Sequence, residues 1–168
     1  GLGLSDVLVV QGYSLAYHAM AYTYEQHGDL HSMMFYNKQH EFATYEAYRL
    51  NADNMEAARR YAGAVDETGR LFYMVMHNRR QAEPCFKKAY AMFERLYKAK
   101  PTGTIVNDLL LSTYNQTLML SEDHRHEDVC NLAARTLQTV AERHTNGDTD
   151  RGLLACLQEI YGKSLAQL

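Results

Sequence analysis

Residues Gln81–Pro101 read QAEPCFKKAYAMFERLYKAKP. Phe86, Ala89, Tyr90, Phe93, Leu96 and Tyr97 recur at spacings of three and four, the period of a single apolar stripe on an α-helix. The stretch therefore predicts a helix from about Arg80 to Lys98, with Ala82, Phe86 and Ala89 buried. Pro84 is expected near the helix entry, where N–H groups have no intrahelical acceptor and a proline forfeits little. Lys98 and Lys100 suit the negative end of the helix dipole. Pro101 then disfavours helical backbone at the residue before it.

Reading outward in both directions gives about seven helices. The first is predicted from Ser5, as N-cap, to His27, with a turn at Gly28-Asp29. The second covers Leu30 to Leu50. Asp53 with Glu56 three residues on is the acidic form of a capping box, opening a third helix that runs to about His77. After the opening stretch, the turn Pro101-Thr102-Gly103 leads to a fifth helix over Thr104 to Leu120. The sixth is predicted over Glu127 to His144, and Asn146-Gly147-Asp148 turns the chain into the seventh. Val, Ile and Thr never alternate as strands require, so the fold class is all-α.

Composition narrows the function. At 168 residues, 46% hydrophobic and 22% charged, the chain has the balance of a folded globular domain. A formal net charge of −3 offers no basic stripe for nucleic acid. No apolar run reaches the roughly 18 residues of a membrane span, and the LVV near the start has neither the basic flank nor the length of a signal peptide. Cys85, Cys130 and Cys156 are widely spaced and odd in number, which predicts reduced, buried thiols and a cytoplasmic protein.

The helices pair through short turns, as antiparallel hairpins do. Met33, Asn37 and His40, then Ala82, Phe86 and Ala89, then Val129, Ala133 and Thr136, stand at i, i+4 and i+7 in successive second helices. The offsets are 49 (33 to 82) and 47 (82 to 129). A unit of this kind buries its apolar face only by stacking on neighbours. Small, aromatic and small residues at these places, with Gly-Asp at the preceding turn, resemble the second helix of tetratricopeptide repeats. Ala82-Glu83-Pro84-Cys85-Phe86-Lys87-Lys88-Ala89 is similar to the longer repeats of kinesin light chains and nephrocystin-type proteins, where a proline just inside the helix is common. The resemblance implies an α-solenoid of about three helix pairs and a C-terminal capping helix in one domain, 1–168. Asn37 and His40 depart from the pattern, Thr68-Gly69-Arg70 shifts the Leu-Gly step, and the period exceeds the family's usual length. A general α-solenoid or helical bundle stays open.

The chemical candidates are few. His27 and His31 have helical metal spacing, but a turn separates them. His124 and His126 lie among Glu122, Asp123, Glu127 and Asp128 without a cysteine to complete a zinc set. Cys85 and Cys130 sit among apolar residues and lack a base and an orienting group. No catalytic residue, metal or cofactor is therefore expected. Tyr13, Tyr17 and Tyr24 share one side of the first helix and are expected to pack on the second.

The first helix of each pair carries a polar stripe. Gln11, Ser14, His18, Tyr22 and Glu25 share one face, Glu56, Arg60, Glu67 and Arg70 another, and Asp108, Ser112 and Asn115 a third. In tetratricopeptide folds that helix lines a concave groove for a peptide. The resemblance thus implies a protein-interaction module with His18, Tyr22, Glu25, Arg60, Glu67, Arg70 and Asn115 on the ligand face. Exposure to water alone accounts for the stripes equally well. Co-chaperones of the family clamp a C-terminal carboxylate, but His18 and Tyr22 stand in the first two clamp places and only Asn115 matches in kind. If exposed, Glu67 and Arg70 should tolerate charge reversal within about 0.5 kcal/mol of stability. A second class is a peptide- or ligand-sensing regulatory domain of a larger protein.

Overall fold

The structure, a computed structural model, describes residues 4–143 and 149–168. Among them stand seven α-helices and no strand: α1 (Leu4–Gln26), α2 (Leu30–Leu50), α3 (Met55–Arg70), α4 (Arg79–Ala99), α5 (Gly103–Glu122), α6 (His126–Arg143) and α7 (Arg151–Leu165). A π-helical turn, Leu71–Val75, follows α3. The predicted Asn146-Gly147-Asp148 turn and His144 lie outside the described residues. None of the described helices is long and apolar enough to cross a membrane. The chain divides into two compact units, Gly1–Cys85 and Phe86–Leu168.

In the first unit α1 ends on Gly28 at φ 72°. The Asp29 N–H bonds the Tyr24 carbonyl and the Gly28 N–H that of Glu25, both at 3.1 Å. These two bonds make a Schellman motif, which uses a left-handed residue to satisfy the last carbonyls of a helix. Asp29 at once caps α2, its carboxylate accepting from the Ser32 N–H at 3.0 Å. So tight a turn lays the two helices antiparallel: Tyr24 and Tyr17 both stack on Tyr36, at 5.4 and 6.4 Å, and Ser14 faces His40 further down. Tyr13 only extends the ladder beyond Tyr17 and remains 58% exposed. Across the other side of α2, Tyr48 stacks on Tyr61 of α3 at 5.8 Å and Tyr45 meets the same ring at a tilt, at 5.3 Å.

Three expected helix starts shift. Ser5 is not the N-cap of α1, which has already begun at Leu4. Asn54, not Asp53, caps α3: its carbonyl oxygen accepts from the Glu56 and Ala57 N–H groups at 2.9 and 3.1 Å. Asp53 stands one residue too early to reach them. Pro84 lies in the second turn of α4, which begins at Arg79 behind the capping Asn78. There the missing N–H would have bonded the Arg80 carbonyl, so the proline does cost a helical bond.

The second unit packs α5, α6 and α7 against one another, with the rest of α4 bonded to α6. The Tyr97 hydroxyl donates to the Thr139 carbonyl at 3.0 Å, and Arg135 pairs with Glu94. Phe86, Ala89, Val129, Ala133 and Thr136 are fully buried, as is Ala82 in the first unit, which agrees with the periodic stripe. Helix α5 departs from expectation. Ser112 is fully buried and Asn115 only 6% exposed, because α6 and α7 both cover this helix. Its polar positions join the interior; Thr113, for instance, donates to the Leu109 carbonyl at 2.8 Å and meets Thr136 at 3.1 Å. The thiols differ as well. Cys130 is buried, Cys85 half-buried and Cys156 exposed, and none of the three forms a disulfide among the described residues.

A left-handed residue recurs at three of the turns between helices. Gly28, His77 and His124 have φ of 72°, 52° and 58°, and they are separated by the same 49 and 47 positions as the i, i+4, i+7 triplets.

Candidate functional site

The polar side chains of α1, α2 and α3 meet in a seam within the first unit. Arg70 anchors it. Its guanidinium donates Nη1 and Nη2 to both oxygens of Glu25, at 3.1 and 2.9 Å, and Nε and Nη2 to both oxygens of Glu67, at 2.8 and 2.7 Å. Bidentate pairing of this kind fixes geometry as well as charge. The three side chains keep 27%, 17% and 28% of their exposure. Glu67, then Glu25, push the Arg70 pKa up despite burial.

Beside this triad lies a histidine pair, His18 on α1 and His40 on α2, ring centroids 5.0 Å apart. His40 Nδ1 sits 2.9 Å from the Ser14 carbonyl oxygen. The Ser14 hydroxyl stands 3.0 Å from the same nitrogen: Nδ1 donates to the carbonyl in the tautomer that protonates it and accepts from the hydroxyl in the other. Burial lowers the His40 pKa and the His18 charge adds to this, while the Ser14 bond, Glu67 and Glu41 oppose it.

Deeper still, Asn37 is 1% exposed and donates Nδ2 to the Thr68 hydroxyl at 2.8 Å. Thr68 in turn donates to Glu41 at 2.8 Å or to the Ala64 carbonyl at 3.0 Å. Asn37 Oδ1 has no hydrogen-bond partner among the described residues. Thus the departures of Asn37, His40 and Thr68 from the repeat pattern mark polar groups that find partners on facing helices: Thr68 of α3 with Asn37 and Glu41 of α2, and His40 of α2 with Ser14 of α1. That is the signal by which sequence reasoning could have found them.

Of the residues predicted for the ligand face, His18, Glu25, Glu67 and Arg70 come together here. Tyr22 stands between His18 and Glu25 on the same face of α1 and is 60% exposed. Arg60 does not join them; it pairs with Glu56 one turn back on α3 at 2.9 Å, and Arg59 binds the same carboxylate. Those bonds, Arg59's first, hold the Glu56 pKa down to about 2. Asn115 belongs to the second unit and is buried there.

Apolar exposure concentrates around the seam's helices. Val9, Tyr13, Leu15, Met20 and Tyr22 on α1, and Phe35, Phe42 and Tyr45 on α2, are each 37–62% exposed. Comparison with protein-family models, with curated proteins and with solved structures returns no match.

Proposed function

We propose that the chain is a non-enzymatic helical-repeat module that binds a peptide or protein segment along the α1–α3 seam. The observation that supports this most is Tyr22, an aromatic ring 60% exposed one turn before Glu25 on α1, the carboxylate that Arg70 holds through two hydrogen bonds. Exposed tyrosines next to fixed charges are what interface hot spots are made of, since the ring is rigid and its hydroxyl stays solvated. The further apolar side chains on α1 and α2 enlarge the contact surface beyond what isolated exposed residues need. The resemblance of Ala82–Ala89 to long tetratricopeptide repeats, and the recurrence of left-handed turn residues at the repeat offsets, favour stacked hairpins and a cytoplasmic setting. With a net charge of −3, the partner is a protein rather than a nucleic acid. The triad carries one positive and two negative charges, so the segment it suits is of mixed polar and apolar character.

The test is capture of partners from native lysate, read by mass spectrometry. Tyr22→Ala should lower retention of the specific partner about 30-fold, as loss of a hot spot does. His18→Ala should lower it less. Glu127→Lys, on the exposed start of α6, should leave it unchanged. Normal capture by Tyr22→Ala with loss in Glu127→Lys would move the site away from the seam.

A further inference from the structure

A depression of about 560 Å³ opens in the first unit, lined by Lys38, Phe72, Asn78, Arg80, Gln81 and Pro84. Its size is that of a small-molecule site, and no carboxylate lines it. Arg49, Arg59, Arg60, Arg70, Arg125 and Arg135 each reach a carboxylate. Arg80 does not; among the described residues its guanidinium has no ion pair or hydrogen bond.

Lys38 projects from α2 with its ammonium 5.5 Å from the centroid of Phe72 and 3.6 Å from Glu41. Glu41 is shared, since it also accepts from Thr68. The Gln81 carboxamide oxygen accepts from Asn78 Nδ2 at 3.2 Å, which leaves the Gln81 amide N–H groups without a partner among the described residues. The lining thus offers donors in excess: a guanidinium, an ammonium and a carboxamide N–H. The positive end of α4 adds to the same sign. Phe72 and Pro84 supply apolar wall. Counting Glu41 beside Lys38, the local charge is about one positive unit.

We propose that this depression binds a small organic monoanion, a carboxylate carried on a flat apolar body, with the carboxylate on Arg80, Gln81 and Lys38 and the body against Phe72 and Pro84. Arg80 is the residue that offers a two-pronged fit to a carboxylate. Pro84 acquires a role here: in the second turn of α4 it costs a helical bond, and its ring forms a wall that a flexible side chain would not. The proposal is independent of the seam, and its failure leaves the reading of Tyr22 and Arg70 intact.

Benzoate serves as the probe, titrated into the full chain at constant ionic strength and followed by amide chemical shifts. The expected result is saturable movement of the Arg80 and Gln81 amides. Arg80→Ala should weaken affinity about tenfold or more, the effect of losing a charge-assisted bond, and Lys38→Ala should weaken it less. Both side chains are exposed, so melting temperatures should match the wild type. Benzamidine, a flat cation, should not bind. Absence of saturable shifts, equal benzoate affinity in Arg80→Ala, or tighter binding of inorganic phosphate than of benzoate would each overturn the proposal.

Discussion

Gly28 and His124 hold the same left-handed backbone, φ 72° and 58°, at the ends of α1 and α5. The bonds around them also match: the Arg125 N–H reaches the Leu120 carbonyl at 2.9 Å and the His124 N–H that of Ser121 at 3.0 Å, the pattern Gly28 makes. Nothing lies within 4 Å of a Cβ added at Gly28, so only backbone strain opposes a side chain there. Gly28→Ala should cost about 1 kcal/mol and His124→Gly should gain a similar amount; chemical denaturation of the two variants checks the opposite signs. His40 gives a second residue-scale expectation. Its pKa is lowered from 6.5 in the folded state, so the unfolded chain binds the proton first and its contribution to stability is fully present only above about 6.5. That contribution is lost as pH falls from 6.5 through the folded-state value. The groups facing the ring, Ser14, His18, Glu41 and Glu67, act within that balance. His40→Gln should flatten the slope of stability against pH in that window, as measured by urea midpoints. An unchanged slope would remove His40 as its source. The periodic stripe made Phe86 readable as buried, but the burial of Asn37 and half-burial of His40 were not, because a polar side chain in a helix reveals its partner only when the facing helix is known.

At the scale of elements, helices were legible and their junctions less so. Six apolar positions at three-and-four spacing are enough to specify α4, whereas choosing Asn54 over Asp53 as the cap depends on which side chain reaches two particular N–H groups. The π-helical turn Leu71–Val75 left no mark in the periodicity, since its definition is one widened set of backbone bonds, among them Met76 N–H to the Leu71 carbonyl at 3.0 Å. Helix α5 misled because its polar stripe faces α6 and α7 rather than water. The α1–α3 contact revises one energetic expectation. From sequence alone Arg70 is an exposed residue whose reversal is nearly free, yet in the structure it ties α1 to α3 through half-buried bidentate bonds. Arg70→Glu would set three carboxylates together and should destabilise by roughly 2–3 kcal/mol, between the costs of exposed and buried pairs. A thermal melt coinciding with wild type would show that the triad does not hold the helices together. For that reason Tyr22 and His18, not Arg70, are the variants that report on binding separately from folding.

For the whole molecule, the fold class follows from periodicity alone, while the division at Cys85 and Phe86 falls inside a helix with no punctuation to announce it. Of the predicted site, the residues on α1 and late α3 converge because a tight Schellman turn sets α1 on α2 and α2 lies on α3. Arg60 stays apart because Glu56 captures it first. The central claim is that the exposed face around Tyr22 is where a protein partner docks. Its most direct measurement is site-specific photocrosslinking in cells, with a photoreactive phenylalanine placed in turn at Tyr22 and at Glu127. A discrete adduct from position 22, reduced when His18→Ala is added and missing from position 127, is the predicted result. An adduct from position 127 with none from position 22 would contradict it.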